Sequence, residues 1–241
     1  MNLRLSDIKS VRGVKIVNPE VFENRSFSGV SIDSRKCGVS DLFFAIKGER
    51  FDGHDFVSSV LSKGTKCAVV NEKWFRKNIT KAKRSFNKKC FIVVKDTEKA
   101  LGEISRVYRN KFVIPVIAVS GSNGKTSTKD FIAEVLSAKY NVLKTEGNLN
   151  NQIGLPLTLF RLNRKHEIAV IEAGTNHFGE VEKLCRIAEP QFGIITNIGK
   201  EHLEFLKDIK GAAKAEGELV EYLEEVYGTF FLNADDKYLK K

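Results

Sequence analysis

A short glycine-containing stretch at residues 120–126, Ser-Gly-Ser-Asn-Gly-Lys-Thr, has the residue types needed to bind a phosphate group. Gly121 and Gly124 allow the backbone to turn tightly and to bring its N–H groups close to phosphate oxygens. Lys125 can neutralise phosphate charge, and the hydroxyl of Thr126 can coordinate Mg²⁺. The stretch predicts a nucleotide-phosphate site whose binding residues are Gly121, Ser122, Asn123, Gly124, Lys125, Thr126 and Ser127.

The elements on either side of this stretch support the same interpretation. An apolar, β-branched run at residues 116–119 predicts a buried strand. A helix is predicted directly after the loop from apolar residues on one face, namely Phe131, Ile132, Val135 and Leu136. A strand, a glycine turn and a helix form the layout of a phosphate-binding loop, and the helix N-terminus adds partial positive charge. The alternative, a plain turn with an exposed lysine, is less favoured because Lys-Thr follows the glycine at once.

A carboxylate follows another predicted strand. Glu172 ends the apolar run at residues 168–172. Ligand groups gather at the carboxyl ends of parallel strands, and Mg²⁺ favours one or two carboxylates together with substrate phosphates. Glu172 is therefore a predicted Mg²⁺ ligand beside the phosphate loop.

The alternation of apolar runs and helical patterns predicts an α/β fold in two domains. Residues 1–112 are predicted to form a small N-terminal α/β domain, with strands at residues 14–17, 42–46, 67–70 and 91–94. A helix predicted over residues 98–112 ends before Pro115, which places the domain boundary there. Residues 113–241 are predicted to form a P-loop-type domain with a parallel sheet, incomplete at its end.

Composition narrows the function classes. The chain has 241 residues, 42% hydrophobic and 29% charged, as in soluble globular proteins. No apolar run approaches ~20 residues and the polar N-terminus has no signal peptide, so a cytoplasmic protein without membrane insertion is expected. The four cysteines lack metal or redox spacing. The net charge of +10 is concentrated between residues 73 and 89, which predicts a solvated helix rather than a nucleic-acid site because no recognition motif accompanies it.

The loop resembles that of the ATP-dependent Mur ligases of peptidoglycan synthesis and of their folylpolyglutamate synthetase relatives. A general P-loop has a glycine five positions before the second one, where this chain has Val119. Asp-Ser-Arg at residues 33–35, Asp-Leu-Phe-Phe-Ala-Ile-Lys-Gly at 41–48 and Asp-Gly-His at 52–54 resemble the N-terminal domain of these ligases. Gly-Asn-Leu-Asn-Asn at residues 147–151 is similar to the MurF branch of the family.

The resemblance implies an ATP-dependent carboxylate–amine ligase that uses Mg²⁺. It would add D-Ala-D-Ala to UDP-MurNAc-tripeptide through an acyl phosphate, with Lys125, Glu172 and His202 as catalytic residues. The UDP end of the substrate would contact the N-terminal domain at Ser34, Arg35, Lys47, Asp52, Gly53 and His54. In the second domain the substrate-binding residues would be Asn148, Asn150, Asn151 and Asn176.

The resemblance also implies two metal sites. Thr126 and Glu172 would bind the first Mg²⁺, and His202 would help to hold the second. Mur ligases generally place a carbamate-bearing lysine in the following helix, where this chain has Glu216. Glu216 could supply a carboxylate directly, or it could belong to a solvated, charged helix.

Alternative functions stay open at this point. They are a MurE-like or folylpolyglutamate-type ligase, a non-catalytic nucleotide- or UDP-sugar-binding fragment, and a basic nucleic-acid-binding ATPase. The resemblance covers nearly all of this chain but only about half of the family's usual length, so the C-terminal domain is expected to be absent. A monomer is expected. Diaminopimelate and lysine both remain open as the third peptide residue.

Overall fold

The computed structural model describes residues 1–85, 87–199 and 203–240. The chain forms two compact units, Met1–Tyr108 and Arg109–Lys241. Both combine helices with a five-stranded sheet, and the sheet of the second unit is entirely parallel. The prediction of an α/β fold with a parallel sheet after the phosphate loop is confirmed.

The first unit contains short strands and four helices among the described residues. Its strands are β1 (Leu3–Arg4), β2 (Lys15–Val17), β3 (Ser26–Phe27), β4 (Val30–Ser31), β5 (Leu42–Phe44), β6 (Cys67–Asn71) and β7 (Cys90–Val94). Its α-helices are α1 (Leu5–Lys9), α2 (Val57–Ser62), α3 (Glu72–Ser85) and α4 (Thr97–Arg109), and 3₁₀ turns lie at Pro19–Val21 and Gly53–Phe56.

The sheet of the first unit has the order β2-β7-β6-β5-β4. Strand β2 runs antiparallel to β7, and the other pairs are parallel. The central strands β6 and β7 are apolar and almost completely buried, as expected for strands covered on both faces. Their side chains pack with α2 and with Phe75 of α3.

The second unit alternates strands and helices. Its strands are β8 (Val116–Ser120), β9 (Val142–Lys144), β10 (Ile168–Glu172), β11 (Phe192–Ile195) and β12 (Thr229–Leu232). Its helices are α5 (Lys125–Ser137), α6 (Gly154–Leu159), α7 (Glu180–Ala188), α8 (Leu203–Leu206) and α9 (Ile209–Glu225). The strand order is β12-β11-β8-β10-β9, so the strand before the phosphate loop is central. The carboxyl ends of all five strands lie along one edge.

One helix boundary differs from the prediction. Helix α4 ends at Arg109 rather than at residue 112. The Arg109 guanidinium donates to the carbonyls of Phe112 and Ile114 and to that of Ala188. The backbone after Arg109 therefore satisfies its carbonyls with this side chain instead of a further helical turn.

The apolar face of α5 is partly exposed. Phe131 and Val135 are 73% and 74% exposed, whereas Lys129 and Ala133 are buried against the sheet. Residues two positions apart point to different sides of a helix, so Phe131 and Val135 cannot share a face with Ala133. The exposed pair lines an apolar hollow of about 670 Å³. None of the helices in the described part of the chain could span a membrane.

Candidate functional site

The phosphate loop connects β8 to α5 at the carboxyl edge of the parallel sheet. Gly121 has φ +116° and Gly124 has φ +82°, values that side chains other than glycine rarely adopt. A Cβ at Gly121 would lie 2.8 Å from the amide nitrogen of Thr196 and 3.1 Å from that of Asn197. A Cβ at Gly124 would meet no atom within 4 Å. Gly121 is therefore required for close packing as well as for backbone conformation.

The segment after β11 supports the loop from the side. The amides of Ser122 and Asn123 donate to the backbone and side-chain oxygens of Asn197, at 2.8 and 3.1 Å. In return, Thr196 Oγ1 and Asn197 Nδ2 donate to the Asn123 carbonyl at 2.6 and 2.9 Å. Sequence reasoning gave Thr196 and Asn197 no role. Their position at the carboxyl end of the strand-like run at residues 192–197, in the same parallel sheet, is the signal that could have identified them.

The turn after β12 holds this supporting segment. Asn233 Nδ2 donates to the Thr196 carbonyl at 2.6 Å, and the Ile198 amide donates to Asp236 at 2.7 Å. Burial raises the pKa of Asp236, but amide donors including Ile198 outweigh it and hold that pKa below its usual value. A hollow of about 400 Å³ lies between this turn and the loop.

Lys125 begins α5 and folds back over the loop. Its Nζ donates to the carbonyls of Gly121 and Ser122, at 2.5 and 3.2 Å. The first-turn amides of a helix have no acceptor within the helix itself, so they add donors on the loop side of α5. A cation and helix-terminal amides on one surface are the groups that binding of an anion requires.

Glu172 faces the start of α5 from the end of β10. Its carboxylate is 2% exposed and accepts from the hydroxyl of Thr126, at 2.9 Å, through Oε2. Asn150 Nδ2 donates to the other oxygen, Oε1, at 2.7 Å. The structure thus brings together three predicted site residues from three separate segments. In this arrangement Asn150 contacts the carboxylate directly.

Glu216 reaches the same loop from α9. Its carboxylate is 1% exposed, so Glu216 does not belong to a solvated helix face. Oε2 accepts from the Gly121 amide at 2.9 Å and from the Ser120 hydroxyl. Glu216 therefore anchors the point where β8 turns into the loop.

The other predicted asparagines of this unit lie in different surroundings. Asn151 Oδ1 accepts from the amides of Ile153 and Gly154, at 3.1 and 2.8 Å, and so begins α6. Asn148 and Asn176 are exposed. The Asn176 amide donates to Glu180 at 2.7 Å, which fixes the turn before α7. Contact of these residues with a substrate stays a prediction.

In the first unit, Arg35 forms a two-point ion pair with Asp33. Nε and Nη2 each donate to one carboxylate oxygen at 2.9 Å, and the Arg35 amide donates at 2.9 Å as well. The hydrogen bond from the Arg35 side chain lowers the pKa of Asp33 to about 2. Arg35 remains 84% exposed, and Ser34 beside it is half-buried.

The Asp-Gly-His segment of the first unit is built into a tight turn. His54 is 4% exposed, and its Nε2 accepts a hydrogen bond from the Asn71 amide at 3.0 Å. Because Nε2 is an acceptor, Nδ1 carries the proton and donates it in a hydrogen bond to Asp52 at 2.6 Å. A Cβ at Gly53 would lie 2.7 Å from backbone atoms of Ile46. Lys47 is exposed and pairs with Asp52 through a single β-bridge. Substrate contact by this turn stays a prediction.

The donors around the loop are hard oxygen ligands. Within residues 1–85, 87–199 and 203–240, no cluster of three or more His, Cys, Asp and Glu side chains could hold a metal ion by itself. Thr126 and Glu172 nevertheless provide two oxygens side by side, as Mg²⁺ needs when substrate phosphates and water supply its remaining ligands. The predicted ligand His202 lies outside the described residues.

Comparisons with known proteins agree on one family. The Mur ligase middle domain matches residues 119–241, and the catalytic domain of the Mur ligase family matches residues 26–109. The resemblance seen in the sequence is confirmed by these matches.

Curated relatives share one name, UDP-N-acetylmuramoyl-tripeptide–D-alanyl-D-alanine ligase. The Bacillus subtilis protein is 41% identical over 210 residues, which are 87% of this chain and 44% of that protein. The Escherichia coli protein is 38% identical over 211 residues, 88% of this chain and 44% of that protein. The Borreliella burgdorferi protein is 32% identical and covers 100% of this chain, which spans 53% of it. The chain spans about half the length of the curated relatives it matches.

Solved structures give the same result. MurF from Acinetobacter baumannii superposes with a TM-score of 0.87 at 30% identity, over 99% of this chain and 50% of that one. The MurF ligase of Thermotoga maritima in complex with ADP has a TM-score of 0.70 at 30% identity, over 82% of this chain and 44% of that one.

Proposed function

The chain belongs to the Mur ligase family, and on that premise we propose that it works in an ATP-dependent ligase of peptidoglycan precursor synthesis. The proposed reaction joins D-Ala-D-Ala to UDP-MurNAc-tripeptide, the activity named for the curated relatives. The observation that carries the proposal is the Thr126–Glu172 pair beside a phosphate loop that Gly121 and Lys125 complete.

The reaction proceeds in two transfers. The terminal carboxylate of the tripeptide attacks the γ-phosphorus of ATP, which forms an acyl phosphate and releases ADP. The amine of D-Ala-D-Ala then attacks the acyl carbon, phosphate leaves, and an amide bond forms as the amine loses a proton. Little covalent chemistry falls to the protein in such a phosphoryl transfer, so positioning and charge stabilisation supply most of the rate.

Lys125 and the first amides of α5 stabilise the transferring phosphoryl group. The Lys125 ammonium now contacts two loop carbonyls, at 2.5 and 3.2 Å, and a phosphate oxygen would give it a stronger, charge-assisted partner. Donors fixed in place before the reaction need no rearrangement as charge develops. The loop contacts made by Asn197 and Glu216 keep those donors in position.

Thr126 and Glu172 are proposed to hold Mg²⁺. Their oxygens lie 2.9 Å apart, and both are ligand types that Mg²⁺ prefers. The ion, when bound, offsets negative charge on the β- and γ-phosphates. Asn150 keeps one carboxylate oxygen oriented by donating to it at 2.7 Å. We also keep His202 and Glu216 as proposed ligands of a second Mg²⁺, although Glu216 contacts loop atoms in this structure.

The first unit is proposed to bind the UDP end of the substrate. Arg35 and Lys47 are exposed cations that could contact its phosphates. Ser34, Asp52, Gly53 and His54 complete the proposed set, with His54 acting from beneath the turn because it is buried. A cytoplasmic monomer is our proposal for compartment and oligomeric state.

The proposal is tested by binding and turnover in the 241-residue chain. Calorimetry should detect Mg·ATP and UDP-MurNAc-tripeptide, and phosphate release should require both the tripeptide and D-Ala-D-Ala. Lys125→Ala should remove ATP binding, and the matched surface variant Lys139→Ala should retain it, because Lys139 packs over Tyr140 after α5 has ended.

Two of the alternatives predict different results in these assays. Binding of both ligands without D-Ala-D-Ala-dependent phosphate release would favour a non-catalytic fragment. Release that depends on a single amino acid instead of the dipeptide would favour a MurE-like or folylpolyglutamate-type ligase. Normal ATP binding by Lys125→Ala would contradict the assignment of the loop.

A further inference from the structure

Lys129 places a buried cation on α5, the helix that follows the phosphate loop. It lies on α5, three residues after Thr126, and its side chain is 2% exposed. Removing an ammonium group from water is costly unless hydrogen bonds or opposite charge compensate it. Asp130, the carboxylate 3.3 Å from Nζ, is itself 45% exposed and also bound to Lys144 at 2.8 Å. The buried contact of Lys129 is the carbonyl of Thr145, at 2.8 Å.

Thr145 connects this lysine to Glu172. It is fully buried and follows the last residue of β9. Its amide donates to the Val170 carbonyl at 3.1 Å, and its Oγ1 accepts from the Glu172 amide at 3.0 Å. Lys129, Thr145 and Glu172 therefore form a continuous chain of hydrogen-bonded groups that leads to the proposed Mg²⁺ ligand.

The contacts depart from a regular parallel ladder at this point. After the Thr145 amide has donated to Val170, the next ladder bond would run from the Glu172 amide to the Thr145 carbonyl. Here Lys129 takes that carbonyl, and the Thr145 hydroxyl replaces it as the acceptor for Glu172. Pairing of β9 with β10 accordingly ends at Lys144 and Val170. The backbone amide of Glu172 is therefore bound by the Thr145 side chain, and the Thr145 carbonyl by the Lys129 side chain.

We infer that Lys129 is a positioning residue that fixes the backbone of Glu172 through Thr145, so that the carboxylate faces Thr126 and the Mg²⁺ of bound ATP. The part of the inference that concerns Mg²⁺ rests on the proposed function. The part that concerns Lys129 rests on the hydrogen bonds of Lys129, Thr145 and Glu172. Groups that orient a metal ligand typically change metal affinity by about 10–100-fold when they are removed.

The first test separates Mg²⁺-dependent from Mg²⁺-independent ATP binding in the full chain. The affinity of a fluorescent mant-ATP is measured with Mg²⁺ and again with EDTA. Lys129→Met and Thr145→Val should each reduce the gain in affinity due to Mg²⁺ about tenfold and leave binding in EDTA unchanged. Thr145→Ser keeps the hydroxyl and should restore the gain. The control Lys144→Met removes a more exposed partner of Asp130 and should behave as the unchanged chain.

The second test needs no nucleotide. Hydrogen exchange of the Glu172 amide, followed by NMR in the ¹⁵N-labelled chain, reports the bond to Thr145 Oγ1 directly. Exchange of this amide should accelerate at least tenfold in Thr145→Val and in Lys129→Met. It should not change in Thr145→Ser or Lys144→Met.

The outcomes distinguish this inference from the proposed function. Weaker binding both with and without Mg²⁺, together with a lower melting temperature, would mean that Lys129 only stabilises the fold, and the inference would be wrong. Unchanged Glu172 exchange in Lys129→Met would also overturn it. Failure of the chain without substitutions to bind Mg·ATP would instead overturn the proposed function, and with it the part of the inference that concerns the metal. The hydrogen-exchange result would still decide whether Lys129 fixes the backbone of Glu172.

Discussion

The two glycines of the phosphate loop should respond very differently to the same added methyl group. Gly121 and Gly124 both have positive φ, +116° and +82°, so alanine is conformationally unfavourable at each by about 1–2 kcal/mol. At Gly124 that is the main cost, because a Cβ there meets no atom within 4 Å. At Gly121 the Cβ would also approach the Thr196 amide nitrogen at 2.8 Å and its hydroxyl oxygen.

The additional cost at Gly121 follows from what the methyl group meets. The Thr196 amide belongs to the backbone of the segment after β11 and donates to the Ser120 carbonyl at 3.0 Å, so it cannot move away without breaking that bond. Overpacking of this kind typically costs about 1–3 kcal/mol. We expect Gly124→Ala to lower the free energy of unfolding of this unit by about 1–2 kcal/mol and Gly121→Ala by about 2–5 kcal/mol.

Native-state hydrogen exchange in low urea is a suitable assay, because a chain with two compact units need not unfold in one step. The amides of β8 and β11 report the opening free energy of the sheet beside the loop. The reasoning would be refuted if Gly124→Ala lowered the opening free energy as much as Gly121→Ala or more. The close approach of the added Cβ to Thr196 would then not decide the free-energy cost. A loss below about 1 kcal/mol at Gly121→Ala would also contradict the reasoning.

Three further predictions concern other parts of the molecule. Asn150→Ala should reduce the Mg²⁺-dependent gain in mant-ATP affinity about tenfold, because Glu172 Oε1 loses its donor at 2.7 Å; an unchanged gain would mean that Asn150 does not orient the carboxylate. Because the side-chain hydrogen bond from Arg35 lowers the pKa of Asp33 to about 2, their pairing should be complete above pH ~4 and be lost as the pH falls through about 2. NMR titration of Arg35→Ala should return that pKa toward ~3.9, and a value that stays near 2 would assign the shift to another group. Native-state labelling with Ellman's reagent should modify the half-buried Cys37 well before the three buried cysteines, which are Cys67, Cys90 and Cys185. Burial also raises the pKa of the Cys185 thiol to about 12, which slows its reaction further. Fast labelling of more than one thiol would contradict this order.

The parts of the site that sequence predicted are local along the chain. The loop, its two positive-φ glycines and the helix that follows occupy consecutive residues, and the proposed phosphate donors are groups of the backbone itself. The carboxylate at the end of β10 was predictable for a related reason: parallel strands place their carboxyl ends along one edge, so a strand-terminal Glu172 had to lie near the loop.

The apolar face of α5 shows that apolar spacing can identify a helix without deciding which of its residues are buried. Apolar spacing identified the helix, but Phe131 and Val135 are exposed while the cationic Lys129 is buried. Periodicity records which side chains are apolar, and it does not record which hydrogen-bond acceptors the neighbouring strand presents. The Thr145 carbonyl supplies the acceptor that makes burial of Lys129 tolerable.

The Asp-Gly-His turn gives a similar lesson for predicted ligand-binding residues. The residue types at 52–54 suit a binding loop, yet His54 has both ring nitrogens bound within the protein, one of them to an amide of the neighbouring strand β6. A residue's chemistry indicates what it can bind, but only packing shows whether its polar atoms are already used.

The sequence by itself determined an α/β second unit with a parallel sheet, the glycine loop, and the residue types at Lys125, Thr126 and Glu172. These depend on short-range backbone conformation and on the repeating geometry of a parallel sheet. Tertiary structure alone decided that Glu216 anchors the loop at Gly121, that Asn197 supports it, and that Asn150 orients Glu172. Such contacts join groups that are far apart in the chain, so their partners follow from packing in three dimensions. Replacing one neighbouring residue can give a buried polar group a different hydrogen-bond partner, while the pattern of apolar and polar residues in the sequence hardly changes.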